Sequence, residues 1–159
     1  MRALDLSDRR IVVDGDACPV KAEIAAAASE FHMQVVLVSS YDHRLNGGSG
    51  ITVVTVDRSS QSADLYIANH IRRGDVVATN DYGLAALALA KGCSVISFRG
   101  ALYSDDSIDF MLDRRHVSAK ERRRGRYGKG PKALTEEDRI TFQHKLTKLL
   151  TDLQENALK

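Results

Sequence analysis

Five short apolar runs are the feature that most limits the folds open to this chain. They are rich in Val and Ile, and they occupy residues 11–13, 34–40, 51–56, 75–79 and 94–98. Runs of this length and composition are typical of strands that are buried on both faces, as in a parallel sheet. Because segments of helical composition lie between several of them, we predict a three-layer α/β/α sandwich around a mostly parallel five-stranded sheet.

Helices are indicated by alanine-rich composition and by apolar residues at helical spacing. The predicted helices cover residues 20–32, 61–73, 84–91 and 104–115, and a last helix begins near Thr135. Thr135 is a candidate N-cap for that helix, with Asp138 three residues later. The apolar stripe of the last helix belongs either to the core or to the interface of a homodimer, and it consists of Phe142, Leu146, Leu149, Leu150 and Leu153.

The length of 159 residues suits one domain. We expect an α/β domain over residues 1–115, followed over residues 116–159 by a basic segment and an amphipathic helix that packs on the same domain. The first ten residues lack the apolar region of a signal peptide, and no stretch is long enough to cross a membrane, so we expect a cytoplasmic protein without a membrane partner.

The two cysteines, Cys18 and Cys93, are far apart in sequence and are expected to be reduced thiols. Cys18 lies near a predicted helix start, where a thiolate would be stabilised. No histidine lies near it in sequence, so we favour a packing role over a nucleophilic one.

Acidic side chains follow two of the predicted strands. Asp14 and Asp16 come directly after the first strand, Asp81 follows the fourth, and Asp64 begins the helix that leads into the fourth. If the first and fourth strands are neighbours, all four carboxylates face one crevice at the carboxyl edge of the sheet, where α/β proteins bind ligands. Each acid also has a structural interpretation, as a solvated strand end, a helix cap or a partner of a helix dipole.

Hard divalent cations such as Mg²⁺ and Mn²⁺ prefer oxygen ligands of this kind. Such ions activate water and stabilise the charge that develops when a phosphodiester is cleaved. We therefore predict a Mg²⁺ or Mn²⁺ site formed by Asp14, Asp16, Asp64 and Asp81, with Asp14 and Asp81 in the catalytic role. Thr79 and Asn80, which precede Asp81, are expected to support the site.

The charge of the chain is unevenly distributed although its net value is only +2. Residues 114–132 hold nine basic residues against one acid, a net +8, which leaves 14 basic and 20 acidic residues, a net −6, in the rest. Such a segment is either a solvated run or a contact for phosphates. For the second interpretation the candidate nucleic-acid-binding residues are Arg122, Arg123, Arg124, Arg126, Lys129 and Lys132, and Tyr103 and Tyr127 could stack bases.

Four motifs resemble the YaiI/YqxD family of bacterial proteins. They are Val13-Asp14-Gly15-Asp16-Ala17-Cys18-Pro19, Ser62-Ala63-Asp64-Leu65-Tyr66-Ile67, Ala78-Thr79-Asn80-Asp81-Tyr82-Gly83-Leu84-Ala85 and Gly128-Lys129-Gly130-Pro131-Lys132. The family is grouped with PIN-like and NYN-like domains, and the resemblance implies an α/β/α fold with an acidic, Mg²⁺- or Mn²⁺-dependent RNase site. It implies that Asp14, Asp64 and Asp81 are the acids of that site and Asp16 the family's own second acid.

Three functions are therefore compatible with the sequence. The first is a metal-dependent nuclease of PIN-like type that acts on single-stranded RNA. The second is a phosphatase of the haloacid-dehalogenase kind, in which Asp14 forms an aspartyl phosphate and residues Asp105, Asp106 and Asp109 supply the last acidic motif. The third is an RNA-binding module without catalysis.

Overall fold

The strands of the computed structural model, which describes residues 9–40, 50–57, 63–109 and 133–157, form one five-stranded sheet. The strands are β1 (Arg10–Asp14), β2 (Gln34–Ser40), β3 (Ile51–Val56), β4 (Val76–Ala78) and β5 (Ser94–Ile96). Their order across the sheet is β3-β2-β1-β4-β5, and all four neighbouring pairs are parallel. The predicted α/β fold is thus confirmed, with a sheet that is parallel throughout rather than mostly parallel.

The described helices connect or follow these strands. They are α1 (Lys21–Glu30), α2 (Ala63–His70), α3 (Tyr82–Ala90) and α4 (Glu136–Ala157), and residues 105–109 are also helical. A 3₁₀ turn at Gly15–Ala17 follows β1, and α1 begins at Lys21, one residue later than predicted. The third helix begins earlier than predicted, at Tyr82, because Asp81 caps it.

Two layers of helices cover the two faces of the sheet. Side chains alternate along β1, so that Ile11 and Val13 pack against α1 and α4 while Val12 packs against α2 and α3. Each face therefore has its own apolar cluster, and the sheet lies between them. This is the three-layer arrangement that the sequence predicted.

The stripe of α4 is part of the core. Phe142, Leu146 and Leu150 are fully buried in the cluster that contains Ile11 and Val13. Between the two predicted roles of the stripe, the structure assigns it to packing within the chain. The division into residues 1–115 and 116–159 stays a prediction, since residues 110–132 lie outside the described part of the chain.

The first turn of α4 is held by a capping pair and by contacts to the segments that follow β1 and β5. Thr135 and Asp138 form the predicted capping pair: the Thr135 N–H donates to Asp138 Oδ2 at 3.0 Å, and the Asp138 N–H donates to Thr135 Oγ1 at 3.1 Å. Asp138 also pairs with Arg99, which follows β5, at 3.0 Å. Arg139 donates to the Pro19 carbonyl, which follows β1. The helix therefore begins at the carboxyl edge of the sheet.

A buried ion pair fixes β4 beside β1 at the opposite edge. Asp75, which is 1% exposed, accepts from Arg10 Nη2 at 2.8 Å and from the Arg72 N–H at 2.8 Å. A carboxylate with this little exposure is tolerated because charged and backbone donors satisfy it. With this pairing the carboxyl ends of β1 and β4 lie side by side.

Candidate functional site

The carboxyl ends of β1 and β4 bring together acids that are distant in sequence. In the ladder between these strands Val13 is paired with Ala78, so Asp14 and Thr79 leave the sheet at the same level. The first and fourth strands are therefore neighbours, which is the condition on which the prediction of one acidic crevice depended. Asp81 follows Thr79 by two residues and therefore lies at this edge as well.

Thr79 connects the two strand ends through its side chain. It is fully buried, and its hydroxyl donates to Asp14 Oδ2 at 3.5 Å while accepting from the Asp81 N–H at 3.0 Å. Asn80 Oδ1 accepts from the Phe98 N–H at 2.8 Å and so fastens the same loop to the segment after β5. Both residues hold the loop that carries Asp81.

Asp81 itself is the N-cap of α3. Its Oδ1 accepts from the Leu84 N–H at 2.9 Å, which satisfies one of the free donors at the helix start. The capping role that the sequence offered as a structural interpretation of these acids is thus real for Asp81. It places a half-buried carboxylate at the end of β4 in a fixed geometry.

Asp16 has a different partner from the one its position suggests. Its Oδ1 accepts from the Ser40 N–H at 2.6 Å, at the end of β2, and α1 has no side-chain cap. Gly15 makes this approach possible: a Cβ there would lie 2.8 Å from the Val38 carbonyl oxygen and 3.2 Å from the Leu37 side chain. The alternative that Asp16 caps the first helix was therefore wrong.

The carboxylates interact electrostatically at Asp14. Burial raises the pKa of Asp14 to about 6, and the charges of Asp16, Asp64 and Asp81 add to this effect, whereas the hydrogen bond from Thr79 opposes it. Asp64 lies in the first turn of α2, half-buried. Four carboxylates from three parts of the chain thus contribute to one region of negative potential.

The same residues do not form a ready-made metal cage. Among the residues that the structure describes, no group of three His, Cys, Asp or Glu side chains is arranged to hold a metal ion directly. Mg²⁺ commonly keeps several waters and is bound through only one or two carboxylates. A divalent cation at these acids would therefore be held through one or two of the carboxylates and would keep several of its waters.

The raised pKa of Asp14 predicts a pH-dependent stability. In the folded state Asp14 binds its proton up to about pH 6, whereas the unfolded chain releases it near 3.8, so stability falls as pH rises from about 4 through 6. Asp14→Asn removes this penalty and should raise the free energy of unfolding at pH 7.5 by on the order of 1 kcal/mol, allowing for solvent screening. Urea unfolding of both proteins at pH 4 to 8 measures the difference.

The control for this experiment is Asp152→Asn, because Asp152 is exposed on α4, away from the other acids. The stability of that variant should follow the wild type at every pH. If Asp14→Asn gains no stability above pH 6 relative to the wild type, burial and the neighbouring acids do not destabilise the Asp14 carboxylate in the folded protein.

Other candidates from the sequence lie elsewhere. Cys18 is buried in the core, and burial raises the pKa of its thiol to about 11, which agrees with packing and not with a nucleophilic thiolate. Asp105, Asp106 and Asp109 are exposed in the helical segment beyond β5. Strand β4, which lies beside β1, is followed by Asn80 and Asp81 and not by these three acids. This geometry does not favour the phosphatase arrangement.

Two tyrosines adjoin Asp81, and only one of them was singled out from the sequence as a base-stacking candidate. Tyr103 is 7% exposed, and burial together with the neighbouring Tyr82 and Asp81 raises its pKa to about 12. Its ring meets that of Tyr82 edge to face, with centroids 6.0 Å apart and planes at 73°. Tyr82 is the more exposed of the two rings, and no spacing rule identifies it.

The basic residues proposed for nucleic-acid binding, Arg122, Arg123, Arg124, Arg126, Lys129 and Lys132, lie outside the described residues, as does Tyr127. The described chain on either side of that segment approaches the acidic edge. Residues 103–108 pack beside Asp81 through Tyr103, and residues 135–139 contact Arg99 and Pro19. No helix among the described residues is long and apolar enough to cross a membrane.

Comparison with known proteins gives matches along most of the chain. The model of the family described as "Uncharacterized BCR, YaiI/YqxD family" matches residues 12–152. A UPF0178 protein of Listeria monocytogenes is 45% identical over 141 residues, covering 89% of this chain and 95% of the relative. A UPF0178 protein of Bacillus velezensis is 47% identical over 150 residues, covering 94% and 89%.

A solved structure also matches. The crystal structure of Rae1 (YacP) from Bacillus subtilis aligns over 91% of this chain and 98% of that chain, with a TM-score of 0.44 and 19% sequence identity.

Proposed function

The chain belongs to the YaiI/YqxD family, and on the chemistry of its acidic edge we propose that it is a divalent-metal-dependent nuclease that cleaves single-stranded RNA. The observation that carries this proposal is the half-buried Asp14, whose pKa is raised by burial, by the adjacent Asp16 and by two carboxylates from other segments, Asp64 and Asp81. Carboxylates that repel one another in this way bind a cation favourably, since the ion removes the repulsion.

Each residue of the site has a role in this proposal. Asp14 and Asp81 supply the charge that holds Mg²⁺ or Mn²⁺, and Asp16 and Asp64 add to it. Thr79 fixes the relative position of Asp14 and Asp81 through its two hydrogen bonds. A bound ion would supply an activated water and stabilise the negative charge that develops on the phosphate.

The basic residues 122–132 supply the affinity for the polyanion in this proposal. Phosphate neutralisation by Lys and Arg dominates binding to nucleic acids. The described residues on both sides of residues 110–132 contact this edge, since Tyr103 lies beside Asp81 and Asp138 pairs with Arg99 after β5. These contacts support a role for the basic residues in binding an RNA that is cleaved at the carboxylates.

The test is incubation of the whole protein with a labelled single-stranded RNA in Mn²⁺ and in EDTA. We expect cleavage in Mn²⁺ and none in EDTA. We also expect Mn²⁺ to raise the thermal midpoint of the wild-type protein but not that of Asp14→Asn. RNA binding without cleavage and without a metal-induced shift would contradict the proposal and support the binding module. Turnover of an aryl phosphate, with a beryllofluoride adduct at Asp14, would support the phosphatase instead.

A further inference from the structure

The aromatic pair beside Asp81 is a rigid feature that the metal chemistry does not use. Tyr82 follows Asp81 directly and is the first residue of α3. Its ring is half-buried, packs on the apolar cluster between the sheet and helices α2 and α3, and meets the Tyr103 ring edge to face. Because Tyr103 is almost fully buried, the Tyr82 ring is supported from behind and its position is fixed by the core.

The surroundings of this ring select the kind of group that can approach it. Asp81 lies next to it in sequence, and the field of four carboxylates lies at the same edge. Without a bound cation a phosphate group is repelled there, whereas the uncharged face of a nucleobase is not. Stacking of a base on an aromatic ring is worth about 1–3 kcal/mol and does not depend on base identity.

We propose that Tyr82 is the platform on which an unpaired base of the nucleic acid stacks, so that it selects single-stranded over double-stranded substrates. The inference rests on the proposed function for the identity of the substrate. In a duplex the base faces are covered by their neighbours, so the ring has nothing to stack on. A base held at Tyr82 places the adjoining phosphodiester beside Asp81.

The test uses a uridine oligonucleotide with one 2-aminopurine, whose fluorescence is quenched by stacking. Titration with wild-type protein in EDTA at low salt should quench this fluorescence, and the same strand in a duplex should show no such change. Tyr82→Leu keeps an apolar side chain against the core and should lose the quench and about tenfold in affinity. Tyr82→Phe should retain both.

The matched control is Tyr66→Leu, since the Tyr66 ring is also half-buried but is already stacked on the His70 imidazole, with centroids 3.8 Å apart. This variant should bind and quench as the wild type does. A second measurement does not depend on Tyr82→Leu folding: Tyr82→Trp introduces the only tryptophan of the chain, and RNA should quench its emission.

An unchanged quench in Tyr82→Leu, or an indole emission that RNA does not alter, would overturn the proposal. Failure of the nuclease function gives a different result. If stacking depends on Tyr82 but no RNA is cleaved in Mn²⁺, the base site stands without the nuclease. If RNA is cleaved while Tyr82→Leu behaves as the wild type, the nuclease stands without the base site.

Discussion

Asp81→Asn is expected to abolish manganese-dependent cleavage of single-stranded RNA and to leave the fold intact. The substitution removes one of the two charges to which the proposal assigns the holding of the ion, and we expect a loss of about 100-fold or more, equivalent to about 3 kcal/mol of transition-state stabilisation. Asparagine caps helices about as well as aspartate, so the bond from the Leu84 N–H to residue 81 can be kept. The measurement is the single-turnover cleavage rate, with the thermal midpoint determined on the same sample.

The design separates catalysis from stability because the two roles of Asp81 depend on different properties. Helix capping needs an oxygen acceptor, whereas cation binding needs the charge. The midpoint of Asp81→Asn should therefore lie within about 2 °C of the wild type, and the pKa of Asp14 should fall because one of the charges that raise it is gone. Asp152→Asn should cleave at the wild-type rate. Cleavage that survives in Asp81→Asn would contradict the assigned role.

The strands could be predicted from the sequence because a strand that is buried on both faces is apolar at successive positions. Successive residues of such a strand face opposite sides of the sheet, and Ile11, Val12 and Val13 are all apolar and buried. Pairing of the first strand with the fourth was needed to unite Asp14 with Asp81, and the structure has that pairing. The approach of Asp14 and Asp81 at one edge of the sheet follows from this strand order.

The partners of the individual acids could not be predicted, because they depend on close approaches that no pattern records. Asp16 bonds to the Ser40 N–H, 24 residues away, since the 3₁₀ turn lies directly on β2. Gly15 is the only sequence sign of that approach, and a glycine between two aspartates is equally typical of a simple turn. The lack of a direct metal cage among the described residues likewise follows from side-chain positions that the spacing of acids does not determine.

Aromatic residues illustrate the same limit. Tyr103 and Tyr127 were the stacking candidates from the sequence, yet Tyr103 is only 7% exposed and Tyr82 is the more exposed ring of the pair. Which of the two tyrosines is more exposed depends on the path of the chain after β5, and sequence spacing does not show that path. Periodicity shows that a helix has an apolar stripe but does not show which surface the stripe meets, so the role of α4 also had to come from the structure.

Phe142→Ala is expected to cause the largest loss of stability among single changes in α4. Phe142 is 0% exposed, and it packs in the cluster formed by β1, α1 and α4. Removing a buried phenyl ring costs about 3–5 kcal/mol, because transfer free energy is lost and a cavity remains. For a chain of this size the thermal midpoint should fall by about 10 °C. Urea unfolding and calorimetry at pH 7.5 measure the two quantities.

Ile140→Ala is the matched control on the same helix, since Ile140 is 49% exposed. Alanine is a better helix former than isoleucine, so its midpoint should change by less than about 2 °C. Equal destabilisation by the two substitutions would mean that the stripe of α4 does not pack against α1 and β1 in solution. In that case the same stripe would be free to form an interface, and the mass of the protein by light scattering should depend on Phe142.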